Sequence, residues 1–211
     1  MSGIHATDPA QAREAFKQAA AFLADTVARI PDDKWAVPAL GLWNLRELVG
    51  HSDRALMGLE RFVGDTADAP EIESPAGYYI KAMAPADINE QVAEGGRRAA
   101  ASLGDNPSAK VRESAQQVTG VLDSLADPLV IRSQAGAIRL EDYLATRVVE
   151  LLVHTLDIAT AAGLDVEPPP LSMGMVLNVL SDLAVAKGTA PDVAMALTGR
   201  RPLPDGFSVL G

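Results

Sequence analysis

The chain has 211 residues, 48% of them hydrophobic, which is material for a packed core and argues against disorder. Aromatics make up only 4%, a balance that favours helix-on-helix packing over a sandwich of aromatic and β-branched strands. A net charge of −10 argues against a nucleic-acid or anionic-membrane surface, and the lack of cysteine excludes disulfides, cysteine-ligated zinc and a cysteine nucleophile. The first residues carry no basic segment followed by an apolar one, and no uncharged apolar run approaches the ~18 residues of a membrane span. The expectation is therefore a soluble cytoplasmic protein that uses no nucleic acid and no membrane.

Asp8-Pro9 opens a helical pattern in which Ala15, Phe16, Ala19, Phe22, Leu23, Val27 and Ile30 recur with helical spacing, and Pro31-Asp32-Asp33 stops it. A loop with Trp35, Pro38, Gly41 and Trp43 comes next. Asn44 and Glu47 then form a capping pair for a helix running to about Phe62, with Leu45, Leu48, Val49, Ser52, Leu56, Leu59 and Val63 along one stripe. Residues 64–75 read as polar loop, with a short helix over Ala76 to Met83. Pro85 precedes a helix over Ile88 to Leu103, weakened by Gly95-Gly96, and Asn106-Pro107 starts another that ends by Asp127-Pro128. The stretch 129–140 changes character and suggests a small β-hairpin at about 129–139. Glu141 to Ala162 is the longest helical pattern, stopped by Gly163. Pro168-Pro169-Pro170 breaks the chain before shorter helices at Leu171 to Ala186 and Pro191 to Leu197, and the tail from Gly199 is irregular. Without repeats or a long linker, residues 1–211 read as a single, mainly α domain: a bundle of about four long helices over about 8–187, with a C-terminal extension over about 188–211.

Histidine is confined to His5, His51 and His154. His5 sits near the N-terminus and receives no role. In the helix from Glu141, the residues Arg147, Glu150, His154 and Asp157 fall within an arc of about 80° at 100° per residue, with apolar residues around nearly all the rest. Either this strip is the solvent side of an amphipathic helix, or it is a buried polar strip that needs partners. Glu150 and His154 are four apart, so both can reach one metal ion; that spacing alone is weak. His51 lies at the edge of its helix's apolar stripe, beside Ala55, Gly58 and Phe62. Three ligands from two facing helices would leave a tetrahedral ion with an open position, which suits a reactive site better than a structural one. Trp35 and Trp43, in the loop entering the His51 helix, are read as caps on the bundle core, with the mouth of the site as the alternative.

The stretch from Trp35 to His51, WAVPALGLWNLRELVGH, resembles the first motif of the mycothiol-dependent maleylpyruvate isomerase family, and Arg147 to Asp157, RVVELLVHTLD, resembles the second. Leu197-Thr198-Gly199-Arg200 also resembles a segment near the end of that family's bundle. The resemblance implies a DinB-like metal-binding four-helix bundle in which His51, Glu150 and His154 hold a divalent metal, zinc first, with nickel or iron as alternatives. It implies a low-molecular-weight thiol such as mycothiol, bound to the metal as thiolate, that adds to or isomerises a small electrophilic substrate. Arg147 and Asp157 match polar positions flanking the ligands, where they would orient those side chains or neutralise charge; a helix-surface ion pair is the other reading. The founding isomerase carries an additional C-terminal domain that contributes to its substrate site, whereas the 57 residues after His154 here read as two helices and a tail. A non-catalytic bundle that binds metal or a small molecule, and a hydrolase using metal-activated water, employ the same residues and stay open at this point, as does the choice between monomer and homodimer.

Overall fold

The structure is a computed structural model that describes residues 7–85 and 88–210, without the side chains of 88 and 89; His5 lies outside the described residues. Eight α-helices and two small strand pairs succeed one another along them: α1 (Pro9–Val27), β1 (Pro38–Leu40), β2 (Trp43–Asn44), α2 (Leu45–Phe62), α3 (Pro75–Ala82), α4 (Ile88–Ser102), α5 (Pro107–Ser124), β3 (Val130–Ser133), β4 (Gly136–Arg139), α6 (Leu140–Ala162), α7 (Pro170–Ala186) and α8 (Ala190–Leu197). The fold is the mainly helical, DinB-like one that the sequence led us to expect.

Four of these helices close a ring. α1 packs on α6, α6 on α2, α2 on α5, and α5 back on α1. Their inward faces are the stripes of the sequence: Phe16 and Leu23 of α1, Leu48, Leu56 and Leu59 of α2, Val118 and Leu122 of α5, and Leu144, Val148 and Leu152 of α6 are all fully buried. Helix ends obey the local chemistry. Asp8 accepts a hydrogen bond from the Gln11 amide at 2.8 Å to start α1. α6 ends where Gly163 turns left-handed at φ 71°, a conformation that costs glycine little.

The remaining helices dress this ring. α4 lies against α2, α7 covers α6 and α1, and α3 is wedged between α6 and α7. The hairpin expected near 129–139 is present as β3–β4, paired Ile131 with Ile138 and Ser133 with Gly136, and it runs directly into α6. Both isoleucines are fully buried, so the hairpin is anchored to the core and fixes the start of α6. The segment read as plain loop around Trp43 contains a second antiparallel pair, β1–β2, irregular between Pro38 and Leu40. It escapes period-2 reading because each strand spans only two or three residues. α1 also ends at Val27, before Ile30, which is buried from the turn beyond it. No helix among the described residues is long and apolar enough to cross a membrane.

Candidate metal centre

α2 and α6 lie side by side, and their polar residues meet in a cavity of about 470 Å³. On α2, a complete capping box fixes the first turn: the Asn44 side chain accepts from the Glu47 amide, and the Glu47 carboxylate accepts from the Asn44 amide, each at 2.9 Å. Two turns further on, His51 is 6% exposed. Its ring lies on the indole of Trp43 with centroids 4.6 Å apart, and Trp43 donates from Nε1 to the Ala93 carbonyl at 3.0 Å. Trp43 therefore both caps the core and walls the cavity, whereas Trp35 packs against the core alone.

The strip on α6 faces this cavity and not solvent. Arg147, Glu150 and His154 all line it, and all are half-buried. The structure brings one ligand atom each of His51, Glu150 and His154 within 4.8 Å of one another. Glu150 Oε2 stands 3.9 Å from His51 Nε2 and 3.6 Å from His154 Nε2, and the two imidazoles meet edge to face with centroids 5.0 Å apart. These gaps are too long for strong hydrogen bonds. They are close to the ~3.3 Å that separates neighbouring donors around a tetrahedral ion with bonds of about 2.0 Å. Two imidazoles and a carboxylate at that spacing form a donor set that fits zinc.

Each donor except His51 has a partner behind it. Tyr79, buried on α3, donates its hydroxyl to Glu150 Oε1 at 2.9 Å, and the Tyr79 hydroxyl also lies 3.1 Å from the Thr146 carbonyl. Asp157 Oδ2 stands 3.3 Å from His154 Nδ1, which leaves Nε2 for the centre, the arrangement by which a carboxylate orients a metal-binding histidine. His51 Nδ1 is buried without a hydrogen-bond partner among the described residues, so the ring is held by stacking.

Charge is distributed accordingly. Burial lowers the pKa of His51, and the nearby His154 and Arg54 add to that effect, so this imidazole is neutral at pH 7. Burial alone would raise Glu150, but the facing His154 and His51 rings and Arg147 hold its carboxyl well below the usual range. His154 goes the other way: burial opposes protonation, yet Asp157 and Glu150 raise its pKa to about 9. The Tyr79 hydroxyl, buried beside Glu150, is held well above the ordinary tyrosine value and stays a donor.

Compared with known families, residues 7–159 match the model described as the mycothiol maleylpyruvate isomerase N-terminal domain. The chain belongs to that family. No curated protein and no solved structure matches it. The matched region ends within α6, so α7, α8 and the Leu197–Arg200 segment lie beyond it.

Arg147 does not contact the three donors through a hydrogen bond. Its guanidinium sits over the rings of Tyr143 and Tyr78, 5.0 and 5.5 Å from their centroids, and Nε donates to Thr146 Oγ1 at 3.2 Å. Sequence reading missed Tyr78, Tyr79 and the α2 arginines Arg54 and Arg61, all of which line the cavity. It also took Gly95-Gly96 as a weak point of α4. A Cβ at Gly95 would run into the Arg54 guanidinium, and one at Gly96 would lie 2.8 Å from the Trp43 ring. Two adjacent glycines in a helix cost about 1 kcal/mol each against alanine, and here they make room for two cavity-lining side chains. That pairing was the available signal.

Proposed function

We propose that this protein is a metal-dependent enzyme of its family, with His51, Glu150 and His154 as ligands for a divalent ion, zinc by preference. In this reading it uses a low-molecular-weight thiol such as mycothiol in transfer to, or isomerisation of, a small electrophilic substrate. The observation that carries the reading is the convergence of the three donors on the wall of a cavity of about 470 Å³, a volume in the range of small-molecule sites. Zinc bound there would lower the pKa of a coordinated thiol and so supply a nucleophile at neutral pH. The chain has no cysteine, and the thiol therefore comes from outside.

The chain's own residues divide the remaining work. Tyr79 and Asp157 hold Glu150 and His154 in their orientations. His51 is neutral and ready to coordinate, while His154 must release its proton first, so metal uptake releases a proton and strengthens with pH. Met57, Phe62, Met83 and Val153 give the cavity apolar walls beside the reacting groups.

Metal analysis tests this directly. The purified protein should carry about one equivalent of a divalent metal and His51→Ala less than about 0.2 equivalents, with an unchanged circular dichroism spectrum. Metal-free wild type after supplemented expression would refute the assignment. Turnover of an electrophile panel with mycothiol, lost on chelation and restored by zinc, would establish the reaction class.

A further inference from the structure

The cavity has a second polar feature beside the three donors. Among the described residues its lining includes Arg54, Arg61 and Arg147 but only one carboxylate, Glu150, on a chain whose acidic residues outnumber its basic ones 28 to 18. Among the described residues no carboxylate stands within 4.0 Å of the Arg147 nitrogens. Its surroundings are the two tyrosine rings, the Thr146 hydroxyl and the Tyr78 hydroxyl 3.5 Å from Nη2, with the Glu150 carboxylate near enough to feel its charge but not paired with it. A half-buried guanidinium held by ring faces keeps its charge and leaves part of its planar fork of donors available. Arg54 and Arg61 are exposed at the rim, where Arg54 is pressed against α4 at Gly95. Much of the rest of the wall is apolar, with Met57, Phe62, Met83, Val92 and Leu210, while Gln134 lies beside the Tyr78 hydroxyl.

We propose that Arg147 forms an anion subsite, and that the electrophile handled by this protein is an apolar carboxylic acid whose carboxylate pairs with Arg147 while its hydrocarbon body lies along the apolar wall. The fate of the bound acid rests on the function proposed above; its binding does not. A carboxylate pairs with a guanidinium through two parallel hydrogen bonds, which are stronger at a half-buried position than in bulk water. Arg147 precedes Glu150 by one helical turn, so a ligand anchored there extends past the three donors. A second carboxylate on the ligand, if it lay along the apolar wall and away from the rim arginines, would be buried without a partner, which is costly. The rim arginines draw the anion in from a solvent field set by a net charge of −10.

The probes are cinnamate, its neutral counterpart cinnamamide, and the polar dianion succinate, titrated calorimetrically into the protein as purified and after chelation. Cinnamate should bind at least tenfold more tightly than either comparison ligand, in both preparations. R147Q should weaken cinnamate at least tenfold and leave cinnamamide unchanged, and R147K should recover part of the loss. Equal affinity for cinnamate and cinnamamide, preference for succinate, or normal cinnamate binding by R147Q overturns the subsite. Cinnamate binding that disappears on chelation overturns it too, since the carboxylate is then held by metal. Absence of metal from the purified protein would refute the proposed function and leave this test intact. Should R147Q fail to fold, R147K, which keeps the charge but loses the planar pair of donors, serves instead: a several-fold loss of cinnamate affinity with cinnamamide unchanged is expected, and unchanged cinnamate binding overturns the proposal.

Discussion

α6 is shared by two seams of opposite character. Toward α1 it packs on a helix whose Ala12, Ala15, Phe16, Ala19 and Leu23 are every one fully buried and apolar. Toward α2 it meets His51, Ala55, Gly58 and Phe62 across a cavity, with Arg147, Glu150 and His154 on its own side. Small residues on α1 let the two helices of the first seam approach closely. Polar groups and an open volume make the second seam a poor source of packing energy, because each lining atom lacks neighbours on one side. One helix can carry both only if the first seam supplies the stability that the second gives up.

That division can be broken from either side. The largest effect is expected from Phe16→Ala in the closed seam: about 3–5 kcal/mol of stability lost in urea unfolding, with metal content per folded molecule unchanged. A parallel loss of metal would show that the two seams are not separable. Gly50→Ala probes the back of the second seam. A helix-interior glycine ordinarily gains about 1 kcal/mol on becoming alanine. Here the new Cβ would lie 2.5 Å from the Ala100 amide nitrogen of α4, so we expect destabilisation of up to about 3 kcal/mol and a shift in Trp43 fluorescence as α4 moves.

The next prediction concerns pH. In metal-free protein the His154 pKa is raised to about 9 against an unfolded value of about 6.5. Its contribution is complete below the unfolded value and is lost as pH rises through the folded one. Stability should therefore drop on the order of 2 kcal/mol between pH 7 and 9.5. His154→Asn should flatten that slope, and an unchanged slope would assign the loss to other groups. The smallest effect is expected from Asn44→Ala, which opens the capping box beneath His51: about 1 kcal/mol of stability, with weaker metal binding as the first turns of α2 fray. Retained affinity would mean that stacking on Trp43 alone positions His51.

How much of the molecule was legible in its sequence depended on range. The ring helices, the capping box and the hairpin were readable because each is written in residues a few positions apart: Asn44 with Glu47, Asp8 with Pro9, Gly163 after a helical period. The spacing of Glu150 and His154 was also visible, but it left a solvent face and a buried strip equally plausible, and the resemblance to a family, not periodicity, pointed to His51 as their partner. Tyr79 was out of reach, since its bond to Glu150 joins residues 71 apart and nothing near it in sequence marks a ligand support.

The sequence by itself determined the helical class, the caps and turns that bound the longest helices, and the shared face of Glu150 and His154, because these stem from local periodicity, backbone chemistry and side-chain type. Only the tertiary structure decided that α1, α2, α5 and α6 form the ring, that Gly95 and Gly96 clear space for Arg54 and Trp43, and that Arg147 rests on tyrosines beside the donors. Those outcomes depend on which faces meet across long stretches of chain, and that choice is made by burial and shape together, not by any short segment.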